Sequence, residues 1–300
     1  MNNKVDLMIV GAQKAGTTSL NQYLSQHPQI ITHYALEFSM FAGLDEYEKG
    51  FEYHYKQSIT PESKKKSPDA FFVAKRVDLI YDAQLLEKLK EHNPDVKIVL
   101  VLRNPVERAF SAFGYCHFNG MEPYTLFEDA IYKNDPLRFD NEIFKKNCDY
   151  IGRSMYAENI KKLTSLFPAK NIKIYLFEEM VKDLNKHLNE MGAMLSLSSF
   201  NFDTSVKFNE QRALRSRSFS RLLAPGKFKS LKVIMPVRYR VMLKRKLKAL
   251  NSINDDQKNR SKKIDENTRM YLRDVFRNDV RELETITNLP VRKFWSEYFS

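Results

Sequence analysis

The chain has 300 residues, of which 43% are hydrophobic, 49 are basic and 37 are acidic, so its formal net charge is +12. No linker rich in proline, glycine or serine divides it, and no apolar run reaches the roughly 20 residues that span a bilayer. Residues 1–6 carry no signal-peptide pattern, and two cysteines, Cys116 and Cys148, are too few for a disulfide framework. We therefore expect one cytoplasmic domain over residues 1–300, with both thiols reduced and buried.

The first motif joins an apolar strand to a helix through a loop that lies between two glycines. The strand is predicted at residues 5–10 and the helix at residues 17–27, with the sequence GAQKAGTTSL over residues 11–20. Backbone amides of the loop, the ammonium of Lys14 and the hydroxyls of residues 17–19 could converge on one anion at a helix N-terminus. The sequence therefore predicts a phosphate-binding loop.

The position of the lysine separates this loop from the loops that bind ATP. A Walker-type loop has its lysine directly after the second glycine, whereas here Thr17 follows Gly16 and Lys14 lies inside the loop. Such a loop is poorly built for the β- and γ-phosphates of ATP with magnesium. Another phosphorylated donor is favoured, and a kinase with a variant loop is the alternative.

Residues 33–76 are predicted to form a long irregular loop rich in aromatic and polar side chains. Loops of this kind often carry function. This one contains the segments EFSMF at 37–41 and KSPDAFF at 66–72.

A second motif follows a predicted helix at residues 82–92. Five consecutive apolar residues at 98–102 predict a strand buried on both faces, as in a parallel sheet. Arg103 ends this strand, and Pro105 suits the first position of a helix over residues 105–118. Arg103 and Ser111 are eight residues apart, so the guanidinium and the hydroxyl could approach one anion from two sides.

Strands and helices alternate through the rest of the chain. This order predicts an α/β fold with a mostly parallel sheet flanked by helices. A strand is expected at residues 171–177, and helices are expected at 153–167, 180–195 and 261–289. In the last helix, Tyr271, Val275 and Leu283 are expected to face the core.

Several of these segments resemble the sulfotransferases. Residues 13–20, followed by His27 and Pro28, resemble their 5′-phosphosulfate loop, and Arg103 with Ser111 resembles their 3′-phosphate motif. EFSMF and KSPDAFF resemble segments of the heparan-sulfate and related glycan sulfotransferases. The resemblance extends over nearly the whole chain. It implies a P-loop-like sulfotransferase fold, with 3′-phosphoadenosine 5′-phosphosulfate (PAPS) as donor and adenosine 3′,5′-bisphosphate (PAP) as product. The donor ligands that it implies are Lys14, Ala15, Gly16, Thr17, Thr18, Ser19, Arg103 and Ser111.

The resemblance also implies the catalytic groups. Glu37 would remove a proton from a hydroxyl or amine of a carbohydrate or glycolipid acceptor, with Lys14 and Lys66 as catalytic cations. Leu36 stands where these glycan sulfotransferases have a lysine, so that second basic group is either absent or supplied from elsewhere. Small-molecule sulfotransferases use histidine as the base, which keeps His33 and His54 as alternatives. No metal is expected, because Lys14 and Arg103 can supply the positive charge and the histidines and cysteines lack ligand spacing.

The net charge comes almost entirely from one segment. Residues 211–250 contain 13 basic residues and no acidic residue, which is typical of a surface that meets an anion. The start of this segment lies where sulfotransferases place a basic loop over the donor's 3′-phosphate, so the resemblance implies Arg212 and Arg215 as candidate ligands of that phosphate. The remainder mixes cations with apolar residues and could meet a glycan or the inner face of an anionic membrane, whereas no nucleic-acid motif accompanies the charge. A non-catalytic module that binds polyanions is a further alternative.

Overall fold

The computed structural model describes residues 3–60, 62–67, 69–133, 135–139, 141–206, 213–214, 246–247, 252–253 and 263–300. The chain divides into two compact units. The first comprises Met1–Asn104, Met155–Asn209 and Asn278–Ser300, and the second comprises Pro105–Ser154 and Glu210–Arg277. The single domain over residues 1–300 stays a prediction.

The first unit contains a five-stranded sheet in which every pair of neighbouring strands is parallel. Its order is β2-β3-β1-β4-β5. The strands are β1 (Leu7–Gly11), β2 (Ile30–Thr32), β3 (Phe71–Lys75), β4 (Lys97–Leu102) and β5 (Ile172–Leu176). All of β1 is buried, and so is β4 beyond its first residue, as expected for strands covered on both faces. The predicted α/β class with a mostly parallel sheet is confirmed.

Five of the six predicted helices are present with shorter bounds, the helix predicted at residues 105–118 keeps its bounds, and six further helices of the described residues were not predicted. The helices are α1 (Thr17–Leu24), α2 (Leu44–Tyr47), α3 (Gly50–Ser58), α4 (Ala83–His92), α5 (Pro105–Phe118), α6 (Phe127–Tyr132), α7 (Glu142–Asn147), α8 (Ala157–Leu166), α9 (Phe177–Met180), α10 (Leu184–Ala193), α11 (Glu266–Ile286) and α12 (Val291–Phe294). Some helices begin at a residue whose side chain caps the first turn. At the start of α4, Asp82 accepts a hydrogen bond from the Leu85 backbone amide, as aspartate at the N-cap position of a helix commonly does. None of the described helices is both long and apolar enough to cross a membrane.

Two predicted details are wrong. Residues 33–76 are not one irregular loop, because they contain α2, α3 and β3. In α11 the side chains that face the core are Leu272, Phe276, Val280 and Leu283. Of the three predicted core positions only Leu283 belongs to this set, since Tyr271 is exposed and Val275 is half-buried.

The second unit contains α5, α6 and α7, and an antiparallel pairing of β6 (Ala213–Leu214) with β7 (Ser252–Ile253). The Arg108 side chain of α5 is fully buried and donates to Ser154 Oγ at 2.6 Å and to the Tyr150 carbonyl at 2.7 Å. Cys116 and Cys148 are both free and buried, as predicted.

Candidate active site

The site is built where three neighbouring parallel strands end. Ile9 of β1 lies opposite Lys75 of β3 and Val99 of β4, so the chain leaves all three strands at the same edge of the sheet. Adjacent strands are about 4.8 Å apart. β1 also lies between the strand pair β2-β3 and the strand pair β4-β5, and open α/β sheets bind ligands where the strand order reverses in this way.

The loop after β1 is shaped for an anion. Gly16 has a φ of 77°, and a Cβ at this position would lie 3.0 Å from the Phe177 ring. Glycine is therefore required there by backbone conformation and by space. The helix α1 begins at the next residue with no acidic side chain in its first turn, so its first amides and the positive end of its dipole point toward the loop. Thr17 is buried, and Lys14, Thr18 and Ser19 are half-buried.

The loop is held in place by bonds to its own backbone and to β4. The Ala12 amide donates to the Val101 carbonyl at 2.7 Å, and the Ala15 amide donates to the Ala12 carbonyl at 3.2 Å. Ala15, a predicted donor ligand, thus uses its amide to close the loop.

Arg103 connects the end of β4 to this loop. Its Nη1 donates to the Lys14 carbonyl at 3.1 Å, and its guanidinium carbon lies 5.3 Å from the centre of the Phe177 ring. The sequence-predicted loop and arginine are therefore brought together. Ser111 lies buried in α5, which belongs to the second unit, and its pairing with Arg103 on one anion stays a prediction.

Glu37 lies beside the end of β3, where both of its carboxylate oxygens accept hydrogen bonds. Lys75 Nζ donates to Oε1 at 2.6 Å, and the Val77 amide donates to Oε2 at 3.0 Å. The lysine side chain is only 2% exposed, whereas the glutamate side chain is 25% exposed. The glutamate side chain is thus partly exposed while its cation lies inside the protein.

The pKa of Glu37 is raised above its ordinary value, because burial disfavours the charged carboxylate more than the Lys75 cation favours it. A raised pKa makes a carboxylate a better proton acceptor near neutral pH. Lys75 places a basic group beside Glu37, whereas Leu36, the residue before Glu37, is 51% exposed.

Lys66 has a different environment from the one its predicted catalytic role needs. Its ammonium donates to the carbonyls of Ser25, His27 and Ile30 at 2.6, 2.9 and 2.7 Å. These three bonds use all three N–H groups of an ammonium, and they tie the end of α1 to the start of β2. Burial lowers the pKa of Lys66. In this structure Lys66 bonds the turn between α1 and β2, and its role as a catalytic cation stays a prediction.

Both candidate histidines are buried and engaged. His33 Nε2 accepts a hydrogen bond from the Lys75 amide at 3.0 Å, and burial together with the Lys75 charge lowers the pKa of His33 to about 3. His54 is bonded through Nδ1 to Ser39 Oγ at 3.0 Å and through Nε2 to the Glu46 carbonyl at 2.7 Å. Both histidines are only 2% exposed, whereas the Glu37 side chain is 25% exposed.

Lys75 is a residue of the candidate site that sequence reasoning missed. It ends the run FFVAK, a short apolar strand that we assigned to the irregular region. An apolar run of this length bounded by a charged residue has the pattern of a buried parallel strand, and that pattern is the signal that could have located the lysine at the edge of the sheet.

The predictions that Arg212 and Arg215 bind the donor and that no metal is needed stay predictions. Arg212 and Arg215, with most of residues 211–250, lie outside the described residues. Across the described ranges, no three His, Cys, Asp or Glu side chains are grouped so that they could hold a metal ion.

The family model for the Sulfotransferase domain matches residues 4–232 of this chain. The chain therefore belongs to the sulfotransferase domain family. A sulfotransferase of known structure from Alicyclobacillus acidocaldarius is 27% identical, with a TM-score of 0.55, and the match covers 69% of this chain and 87% of that one.

Curated relatives place the chain beside heparan-sulfate enzymes. It is 24% identical over 231 residues to the bifunctional heparan sulfate N-deacetylase/N-sulfotransferase 1 of Caenorhabditis briggsae, covering 71% of this chain and 25% of that protein. It is also 24% identical over 222 residues to the mouse heparan sulfate glucosamine 3-O-sulfotransferase 5, covering 71% of this chain and 59% of that protein. The chain thus spans between a quarter and three fifths of the length of these relatives. The predicted resemblance to this branch is confirmed.

Proposed function

We propose that this chain transfers a sulfuryl group from PAPS to a hydroxyl or amine of a carbohydrate or glycolipid. The observation that supports this proposal is the arrangement of three elements at one edge of the sheet. The phosphate loop follows β1, Arg103 follows β4, and the Glu37–Lys75 pair lies at the end of β3. One side of the site is suited to an anionic donor and the other to a proton acceptor.

The residues of the donor side fit a nucleotide with two phosphates. The glycine-shaped loop, the Lys14 ammonium and the first amides of α1 would hold the 5′-phosphosulfate, and Arg103 with Ser111 would hold the 3′-phosphate. Arg103 is well suited to this role because a guanidinium donates to phosphate through two parallel bonds. The predicted participation of Arg212 and Arg215 belongs to the same proposal.

Glu37 would perform the proton transfer. As the acceptor oxygen or nitrogen bonds to sulfur, its proton passes to the Glu37 carboxylate, and the bond from sulfur to the bridging phosphate oxygen breaks. Lys14 and the helix-start amides would stabilise the negative charge that develops on that oxygen. Lys75 would hold the carboxylate in place through its bond to Oε1.

The acceptor class rests on the relatives, whose names specify heparan sulfate, and on the basic composition of residues 211–250. A polyanionic glycan would be attracted to such a segment. Attachment of this segment to an anionic membrane that carries a lipid-linked acceptor stays a prediction.

The decisive experiment supplies the purified chain with PAPS carrying labelled sulfate and a panel of heparan-type oligosaccharides and glycolipids. We expect label to appear in an acceptor and PAP to appear in equal amount. Transfer that requires ATP and stops on chelation of magnesium would instead identify the kinase alternative. Tight binding to heparin with no group transfer from either donor would identify the non-catalytic polyanion-binding alternative.

A further inference from the structure

The corner at residues 103–104, which carries the proposed 3′-phosphate ligand, is bonded to the C-terminal residues of the chain. Asn104 Nδ2 donates to Glu297 Oε1 at 2.7 Å, and the Tyr298 hydroxyl donates to Asn104 Oδ1 at 3.2 Å. Both ends of the buried Asn104 side chain are thus occupied by residues almost 200 positions later in the sequence. We call residues 295–298 the C-terminal clamp.

Glu178 bonds the same corner to the clamp a second time. The backbone amide of Asn104 donates to Glu178 Oε1 at 2.9 Å, and Trp295 Nε1 donates to Glu178 Oε2 at 3.1 Å. Glu178 directly follows Phe177, whose ring lies beside the Arg103 guanidinium. The backbone and the side chain of residue 104 are therefore held by separate groups.

Arg103 is fixed directly as well. The Tyr156 hydroxyl donates to the Arg103 carbonyl at 2.8 Å, and the rings of Tyr156 and Trp295 are 6.4 Å apart. The backbone on both sides of the arginine side chain is thus constrained, which limits the directions in which the guanidinium can point.

The clamp itself is firmly anchored. Trp295 and Tyr298 are fully buried, the Trp295 amide donates to the Val291 carbonyl at 2.8 Å, and Arg281 Nε donates to the Tyr298 carbonyl at 3.0 Å. A rigid support of this kind can transmit position to the groups that it bonds.

We propose that the C-terminal clamp is a positioning element for donor binding, in which Glu297 and Tyr298 act through Asn104 to aim the Arg103 guanidinium at the donor phosphate. This inference rests on the proposed function, because it assigns the clamp to the donor side of that same site. The acceptor side depends on Glu37, whose carboxylate is instead bonded to Lys75 and to the Val77 amide. Substitutions in the clamp should therefore change donor binding more than acceptor binding.

The test compares Glu297→Ala, Tyr298→Phe and Glu297→Gln with the wild-type chain. Tyr298→Phe keeps the buried ring and removes only the hydroxyl, and Glu297→Gln retains an oxygen that can accept from Asn104. We expect Glu297→Ala to raise the KM for PAPS and the Kd for PAP by about tenfold, the scale of one lost hydrogen bond to a charged group. Tyr298→Phe should raise both by a smaller factor, and Glu297→Gln should restore values close to wild type.

The acceptor KM and the kcat at saturating PAPS should stay near wild type in all three variants. Glu284→Ala is the matched control, because it removes a carboxylate near the same end of the chain that pairs with Arg292 at 3.2 Å and has no bond to the corner. It should leave the donor constants unchanged.

Each contrary result has a distinct meaning. Unchanged PAPS and PAP constants in Glu297→Ala and Tyr298→Phe, with normal wild-type turnover, would overturn the positioning role alone. A parallel loss of donor affinity, acceptor affinity and melting temperature would also overturn it, since the clamp would then be only structural. A wild-type chain that binds no PAP and transfers no sulfate would overturn the proposed function together with this inference.

Discussion

Glu37 and Lys75 form an unequal ion pair: their charged atoms are 2.6 Å apart, yet the lysine side chain is almost completely buried and a quarter of the glutamate side chain reaches solvent. A buried ammonium separated from its carboxylate would be left uncompensated, which is costly. The pair therefore keeps the carboxylate beside the strand end. Burial and the lysine shift the pKa of Glu37 in opposite directions, with burial the larger effect.

Replacing Lys75 should change the pH dependence of the reaction. Without the cation, the pKa of Glu37 should rise further, because the nearby positive charge favours the ionised carboxylate. Because the base works only when ionised, the acid limb of the kcat/KM profile in Lys75→Met should move to higher pH. The profile should be measured beside Lys66→Met, in which we expect a lower melting temperature and an unmoved acid limb, since Lys66 bonds only carbonyls among its described partners. Equal shifts in both variants would exclude Lys75 as the specific partner of the base.

Glu37→Gln should separate chemistry from donor binding. The amide keeps the size of the side chain but cannot accept the acceptor's proton, so turnover should fall by about 10²–10⁴-fold. Binding of PAP, measured by calorimetry, should stay near wild type. A variant that retains full turnover would require another base.

Arg103→Ala should weaken donor binding. The loss of a charge-assisted contact to phosphate should raise the Kd for PAP by about tenfold or more. Arg292→Ala provides the control, because this arginine pairs with Glu284 on the surface. An unchanged PAP affinity in Arg103→Ala would contradict the assignment of the 3′-phosphate site.

His33 should make folding stability depend on acid pH. The pKa of His33 is about 3 in the folded chain and has an ordinary value of 6.5. Between these two pH values, the unfolded chain therefore binds a proton at His33 and the folded chain does not. The stabilisation is complete above pH 6.5 and is lost as the pH falls from 6.5 toward 3, at ~1.4 kcal/mol for each unit between the two pKa values. Urea unfolding at pH 7 and at about pH 5 should show a smaller decrease in the unfolding free energy for His33→Gln than for wild type.

The same variant tests the alternative base. If Glu37 is the base, His33→Gln should retain most of its turnover, because the glutamine oxygen can still accept from the Lys75 amide. Abolished turnover with normal PAP binding would favour the histidine. If the unfolding free energies of wild type and His33→Gln fell by the same amount between pH 7 and about pH 5, His33 would not be the cause of the acid sensitivity.

The donor side of the site was largely predictable from the sequence, because its parts are contiguous. The loop between β1 and α1, and Arg103 between β4 and Pro105, each combine an apolar strand, a special loop residue and a helix start within about 15 residues. The bounds of α5 agree at both ends. Local sequence is sufficient to predict a site where one segment contains both the secondary structure and the side chain that would bind the donor.

The acceptor side and the support of Arg103 depend on contacts between distant residues. Lys75 meets Glu37 because β3 pairs with β2 and the segment after β2 bonds to the end of β3, where the Phe38 amide donates to the Lys75 carbonyl at 2.8 Å. Neither segment alone predicts this pairing. Lys66 lies in a motif that resembles a catalytic segment, yet its contacts are three carbonyls of a turn some 40 residues earlier. The bonds from Glu297 and Tyr298 to Asn104 have no local pattern at all.

The Phe177 ring lies beside both Gly16 of the loop and the Arg103 guanidinium. It occupies the space where any side chain at position 16 would have to go, and it also faces the Arg103 guanidinium. The loop and the arginine therefore share one rigid wall, and their separation is set before a nucleotide arrives. Such a pair of groups discriminates ligands by the distance between two phosphates, so we expect isomers of the nucleotide with the second phosphate on the neighbouring ribose hydroxyl to be rejected on geometry.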